Sequence, residues 1–171
     1  MGIGPGLFTG LRVGVTTARV MAQTLRVPVV GIPSLDLVAY PLRHTHRLIV
    51  AVFDAKRREV FHARYRAVPG GVQRVSEYEV SAPGKVVAEL LAAGEEVLLA
   101  GDGVAAYPDE FAVLDRAELA GTEFAAPSAA ALVALATARM EREEFSAHWE
   151  VHPMYLRKSD AELTFDRKGL S

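Results

Sequence analysis

The chain has 171 residues, half of them apolar, no cysteine and a formal net charge of −2. That length can bury a full core as one domain or two small ones. The lack of cysteine excludes disulfides and thiolate metal sites, no apolar run approaches the roughly 18 residues of a membrane span, and the start lacks a signal-peptide pattern, so a soluble, cytoplasmic protein is expected. The charge is uneven: residues 1–70 carry ten Lys/Arg against three Asp/Glu, a balance of +7, and residues 71–171 carry nine against eighteen, a balance of −9. A basic front half suits RNA or an acidic partner, although its longest run, Lys56, Arg57 and Arg58, falls at an expected hairpin tip and reads as a solvated turn.

Gly4, Pro5 and Gly6 predict a tight turn, and Thr9 is the expected N-cap of a helix from Gly10 to Leu25. Its polar residues Arg12, Thr16, Arg19, Gln23 and Arg26 form one narrow stripe. Two apolar seams remain, Leu11, Val15, Ala18, Ala22 and Leu25 on one side, and Val13, Thr17, Val20, Thr24 and Val27 on another. Gly10, Gly14, Ala18 and Ala22 would let a second helix approach the first seam closely. The pattern fits either a core helix between a sheet and a neighbour or a subunit interface.

Val27 to Ile32 then reads as a buried strand, and Ser34 as the cap of a short helix with Leu35, Val38, Ala39 and Leu42 on one face. Arg47 to Asp54 predicts a central strand covered on both faces. Glu59 to Arg66 alternates, with His62, Arg64 and Arg66 on a wet face, and Val72 to Val80 completes an antiparallel meander. A helix from Ala82 to Ala93 capped by Ser81, a buried strand Val97 to Ala100, a strand at Phe111 to Leu114 and a helix from Ser128 to Glu144 with Leu132, Leu135, Ala136 and Met140 buried complete the series.

Residues 46–158 therefore give three antiparallel strands followed by alternating helices and strands, the ribonuclease H-like order. Residues 1–45 give helix, strand, helix, the back part of the same pattern. The expected architecture is α/β, one complete ribonuclease H-like unit preceded by the C-terminal part of another, as in the actin-like ATPase (ASKHA) fold. Residues 159–171 read as a polar, disordered tail.

The segments GPGLFTGLRVGVTTARVMA, VPVVGIPSLD, FDAKRREVFHARY, LLAGDGVAAY, PSAAALVALA and PMYLR resemble, in order and spacing, the TsaB (YeaZ) family across nearly the whole chain. The family-motif loop is Gly4, Pro5, Gly6, Phe8, Thr9, Gly10 and Arg12, with Leu7 where the family usually has a small residue. The resemblance implies a part in forming threonylcarbamoyladenosine in tRNA. It implies a non-catalytic scaffold with no cofactor and no metal, paired with a TsaD-like subunit and, in the assembled complex, a TsaE-like ATPase, with tRNA met indirectly. It places the partner contact, or a homodimer through the same surface, on the first two helices, at Leu11, Val15, Ala18, Ala22, Leu25, Leu35, Val38 and Ala39. Family members open with strands bearing an Asp-Thr pair, and this sequence starts almost at the glycine turn. The expectation is therefore that a meander on the order of 40 to 60 residues is missing and that the first helix has a sheet-facing seam with no sheet.

No residue set carries a catalytic assignment. His44 and His46 with Asp36 lack metal-ligand spacing. His62, His148 and His152 have no motif partner, Asp102 suits a Gly-Asp-Gly turn, and Asp54 with Glu59 flanks a hairpin. The rival readings are an ATP-binding kinase or ATPase of the actin-like fold and a metallopeptidase relative.

Overall fold

The computed structural model describes residues 1–157. The expected polar tail lies outside the described residues.

The centre is β1 (Leu48–Lys56), paired antiparallel to β2 (Glu59–Val68) and parallel to β5 (Val97–Ala100). β5 carries β6 (Ala117–Leu119) in parallel on its other side, and the sheet order is β3-β2-β1-β5-β6. β3 (Gly71–Arg74) and β4 (Glu79–Ser81) pair with opposite ends of β2. Three antiparallel strands followed by two parallel ones is the ribonuclease H-like arrangement expected from the sequence.

β1 is apolar and buried from Leu48 to Phe53 because both faces of the sheet are covered there. Ile49, Ala51, Phe53 and Ala55 point into one core with Phe61, Ala63, Tyr65 and the helix α2 (Ser34–Ala39). Leu48, Val50 and Val52 point into the other with Val86, Val87 and Leu90 of α3 (Pro83–Ala93). Period two along the strand sorts these residues between the layers. α4 (Asp102–Ala106) and α5 (Pro108–Phe111) close the second layer after the turn at Gly101, whose φ of +106° and close approach to Val52 leave no room for a Cβ.

The front of the chain lies beside this unit. Residues 1–4 run along residues 29–32, with Ile3 N–H donating to the Ile32 carbonyl and Ile32 N–H to that of Met1. α1 (Phe8–Leu25) follows, and α6 (Ala129–Glu141) packs Ala131, Leu132, Leu135 and Ala136 against Val30, Ile32 and Leu37. Among the described residues no helix is long and apolar enough to cross a membrane.

Several local expectations are corrected. α1 starts at Phe8, with Leu7 rather than Thr9 at its N-cap, and α2 is preceded by Pro33 with Ser34 as its first helical residue. Val27 to Ile32 forms no continuous strand but isolated bridges, Gly2 with Ile32 and Val29 with Ser146. The single strand Val72 to Val80 is split where the Ser76 hydroxyl accepts the Arg64 N–H. α3 is capped by Ala82 before Pro83, while the Ser81 hydroxyl meets His62 instead. Phe111 ends α5, and the strand expected there lies at β6. α6 is capped by Ser128 as expected, stops at Glu141, and leaves Met140 exposed. His62, assigned to a wet face, is buried.

Candidate partner face and basic cleft

α1 presents two different surfaces. Its 3.6-residue period turns Val15 and Ala22 inward, with Leu11 and Ala18 half-buried beside them. The expected contact residues Val15, Ala22, Leu35, Val38 and Ala39 are thus covered by the chain itself, Leu35, Val38 and Ala39 lying under the sheet. That corrects their placement on an outer face. Of the first seam, Leu25 alone is fully outside, 65% exposed.

The opposite arc carries Gly10, Val13, Gly14, Thr17, Val20, Met21 and Thr24, all exposed and none charged. Val13 is 61% exposed, Val20 55% and Met21 57%. Nothing lies within van der Waals reach of a Cβ built on Gly10 or Gly14, so the flank beside them is open. Bare apolar side chains on consecutive turns of one helix, next to small residues, are what a packed helical contact requires.

The motif loop is fixed from three directions. Ser34 N–H donates to the Gly4 carbonyl at 2.7 Å, and Met154 N–H to that of Ile3 at 2.7 Å. Gly4 has φ of +100°, and a Cβ there would meet Leu11 and the Met154 carbonyl. Phe8 stacks on Tyr155, ring centroids 5.1 Å apart, and the Arg12 guanidinium lies 5.2 Å from the Phe8 ring centre. The first and last family motifs are therefore one site. Sequence reasoning left Tyr155 and Arg157 out of it, although PMYLR was their signal.

Between this loop and the β1–β2 hairpin lies a cleft of about 650 Å³, bordered by Phe8, Arg12, Lys56, Arg57, Tyr155 and Arg157. Lys56 pairs with Asp54, and Arg157 Nη1 donates to Glu59 at 2.7 Å. Burial raises the Asp54 carboxyl, and hydrogen bonds from the Lys56 side chain and N–H and from the Tyr107 hydroxyl outweigh it, leaving Asp54 below the usual carboxylate range. Asp102, the turn residue, accepts the Asp54 N–H at 3.0 Å.

The other titratable candidates are tied to the framework. Asp36 accepts the hydroxyls of Tyr65 at 2.8 Å and Tyr78 at 2.6 Å, while His44 and His46 are exposed. Burial pushes both phenols up, with the Asp36 charge adding to it. No group of three His, Asp or Glu that could hold a metal ion occurs among the described residues. A second cavity of about 480 Å³, between α4, α5 and β6, is lined by apolar side chains such as Val104, Phe111 and Leu119 and has no converging polar groups.

A family model described as TsaD, tRNA N6-adenosine threonylcarbamoyltransferase, matches residues 1–165. The tRNA threonylcarbamoyladenosine biosynthesis protein TsaB of Bacillus subtilis is 39% identical over 72 residues, covering 42% of this chain and 31% of that protein. TsaB of Escherichia coli is 28% identical over 164 residues, covering 94% of this chain and 70% of that protein. The match thus spans under a third of the Bacillus relative's length. Among solved structures, YeaZ from Pseudomonas aeruginosa superposes with a TM-score of 0.76 at 28% identity, covering 91% of this chain and 72% of that one.

Proposed function

The chain belongs to the TsaB/YeaZ branch of the tRNA N6-adenosine threonylcarbamoyltransferase family, and on that premise we propose that it is a non-catalytic scaffold subunit in tRNA threonylcarbamoyladenosine biosynthesis. It docks a TsaD-like subunit, or a second copy of itself, through the outer arc of α1. The observation that carries this reading is the uncharged, exposed row from Gly10 through Val13, Val20 and Met21 to Leu25, on a helix whose opposite side is already packed. A non-catalytic role agrees with the engagement of Asp36, Asp54 and His62 in framework hydrogen bonds. A TsaE-like ATPase joins the assembled complex in the cytoplasm, and residues 1–45 carry the contact while the sheet unit holds α1 in place.

A charge placed in a packed apolar contact is strongly unfavourable, while the same charge on a free surface costs little. Val20→Asp is therefore expected to abolish co-elution with the TsaD-like subunit in size-exclusion chromatography with light scattering, at unchanged melting temperature. In cells depleted of their own TsaB, the parent chain restores threonylcarbamoyladenosine in hydrolysed tRNA and Val20→Asp does not. Co-elution of the variant equal to the parent would refute the assigned face, and micromolar binding of magnesium ATP by the chain alone would favour a nucleotide-using enzyme instead.

A further inference from the structure

The β1–β2 turn is built against its own backbone preference. Lys56 pairs with Glu59, leaving Arg57 and Arg58 as a two-residue loop, and φ is +62°, +57° and +60° at Lys56, Arg57 and Arg58. Two-residue hairpins with both central residues left-handed favour Asn-Gly, since Cβ crowds the carbonyl oxygen there, a crowding Gly escapes and the short polar side chain of Asn offsets by local hydrogen bonding. Here two arginines occupy those places, after a left-handed lysine. Arg58 donates to Glu110 at 3.2 Å, while Lys56 and Arg57 border the cleft.

What the tip borders is the cleft facing the motif loop. Arg12, Lys56, Arg57 and Arg157 line it, and among the described residues no Asp or Glu does. The nearby carboxylates Asp54 and Glu59 are held by Lys56 and Arg157, whereas the Arg12 guanidinium lies over the Phe8 ring. Tyr155 is exposed and offers a ring stacked on Phe8. Cations spread along a groove with an accessible aromatic platform suit bases and singly charged phosphates of an unpaired strand. A free triphosphate fits less well, because a lining without carboxylates offers nothing to hold its magnesium shell.

We propose that the cleft between the Gly4–Gly10 loop and the Lys56–Arg58 tip binds an unpaired segment of tRNA, one base stacking on Tyr155 and adjacent phosphates meeting Arg12 and Arg57. This rests on the tRNA-modification reading above and gives the chain a direct RNA contact of its own.

Fluorescence anisotropy of the full chain with a labelled unpaired 12-nucleotide RNA, across a potassium chloride series, tests it. Single strands lose roughly 0.7 in log affinity per log salt for each phosphate neutralised, so two to three contacts give a slope of about −2, and Arg12→Ala flattens it by about 0.7. Tyr155→Ala weakens binding about tenfold with the slope unchanged. Replacing the tip by Asn-Gly (Arg57→Asn with Arg58→Gly) raises Tm by about 2–4 °C while lowering RNA affinity. Because this variant is the better-folded one, loss of binding in it is not loss of structure. Equal affinity of parent, Arg12→Ala and Tyr155→Ala overturns the inference, as does preference for duplex RNA or displacement of the RNA by stoichiometric ATP. No binding at any salt also overturns it. If the chain still co-elutes with its protein partner and restores the modified nucleoside, the scaffold reading stands without the RNA site.

Discussion

β1 and α1 are both built largely of apolar and small residues, yet the chain treats them oppositely. Along β1 every residue from Leu48 to Phe53 is buried, because α2 covers one face and α3 the other. In α1 only Val15 and Ala22 are buried, and Val13 and Val20, each two residues before one of them and so on the opposite side of the helix, stand in solvent. Hydrophobic composition thus sets the capacity for burial, and the number of covering layers sets how much of it is used within the chain. The rest of the apolar surface of α1 stays in solvent within this chain.

The comparison can be broken most sharply by truncation. Leu99→Ala, in the layer beneath α3, is expected to destabilise the chain by about 2–5 kcal/mol in urea unfolding, while Val20→Ser on α1 stays within about 0.5 kcal/mol. Similar losses at both positions would mean that α1 is covered in solution. Glycines give the next contrast. A Cβ on Gly101 would lie 2.0 Å from the Val52 carbonyl oxygen at φ of +106°, so Gly101→Ala costs at least about 2 kcal/mol, seen as a fall in Tm.

Asp36 ties α2 to the sheet unit through Tyr65 and Tyr78. Asp36→Ala strands two phenols and is expected to cost about 1.5–3 kcal/mol, with Asp36→Asn retaining part of it, by chemical denaturation.

A smaller effect comes from His62, whose Nε2 lies 2.9 Å from the Ser81 hydroxyl and whose Nδ1 has no partner. Burial pushes the imidazole below its ordinary value; Glu79 and Glu89 pull it up, and Arg64 and Lys85 push it down. Above the ordinary histidine value near 6.5 both states are neutral and the full stability is present. As pH falls below it, the unfolded chain takes up the proton first, and stability declines at no more than about 1.4 kcal/mol per pH unit until the folded pKa is passed. His62→Gln should flatten the difference in Tm between pH 7 and 5.5; an unchanged difference would mean that the folded ring titrates normally. The smallest effect has the opposite sign. Gly14→Ala on the open side of α1 is expected to stabilise by roughly 0.5–1 kcal/mol through helix propensity.

What was legible in the sequence follows the same division. β1, β2, α3 and β5 were readable because their periodicity reports layers supplied by this chain. The order of strands followed from them. Phe111 and Leu114 misled because they are three apart and face the same core, a helical spacing in a short apolar run, while the true edge strand, Ala117 to Leu119, takes its form from pairing with β5. His62 alternates with Phe61 and Ala63 and so looked wet, yet α3 and β4 cover that side. On α1 the two seams were visible, but which one faces inward depends on Val29, Val151 and the opening residues, distant in sequence. The cleft was invisible for a related reason. It needs Tyr155 and Arg157 beside Phe8, and left-handed geometry that no arginine pair announces.

The way the front is fastened bears on when it can form during synthesis. Ile3 is bonded to Met154, Val29 to Ser146, and the Gly31 carbonyl to Arg139, a separation of 108 positions. The sheet hairpin closes between residues made within moments of each other, whereas the segment from Ile3 to Gly31 must wait for the stretch from Arg139 to Met154. On the ribosome, α1 therefore emerges more than a hundred residues ahead of Val151, and the inner seam at Ala22 stays incompletely covered until that residue follows.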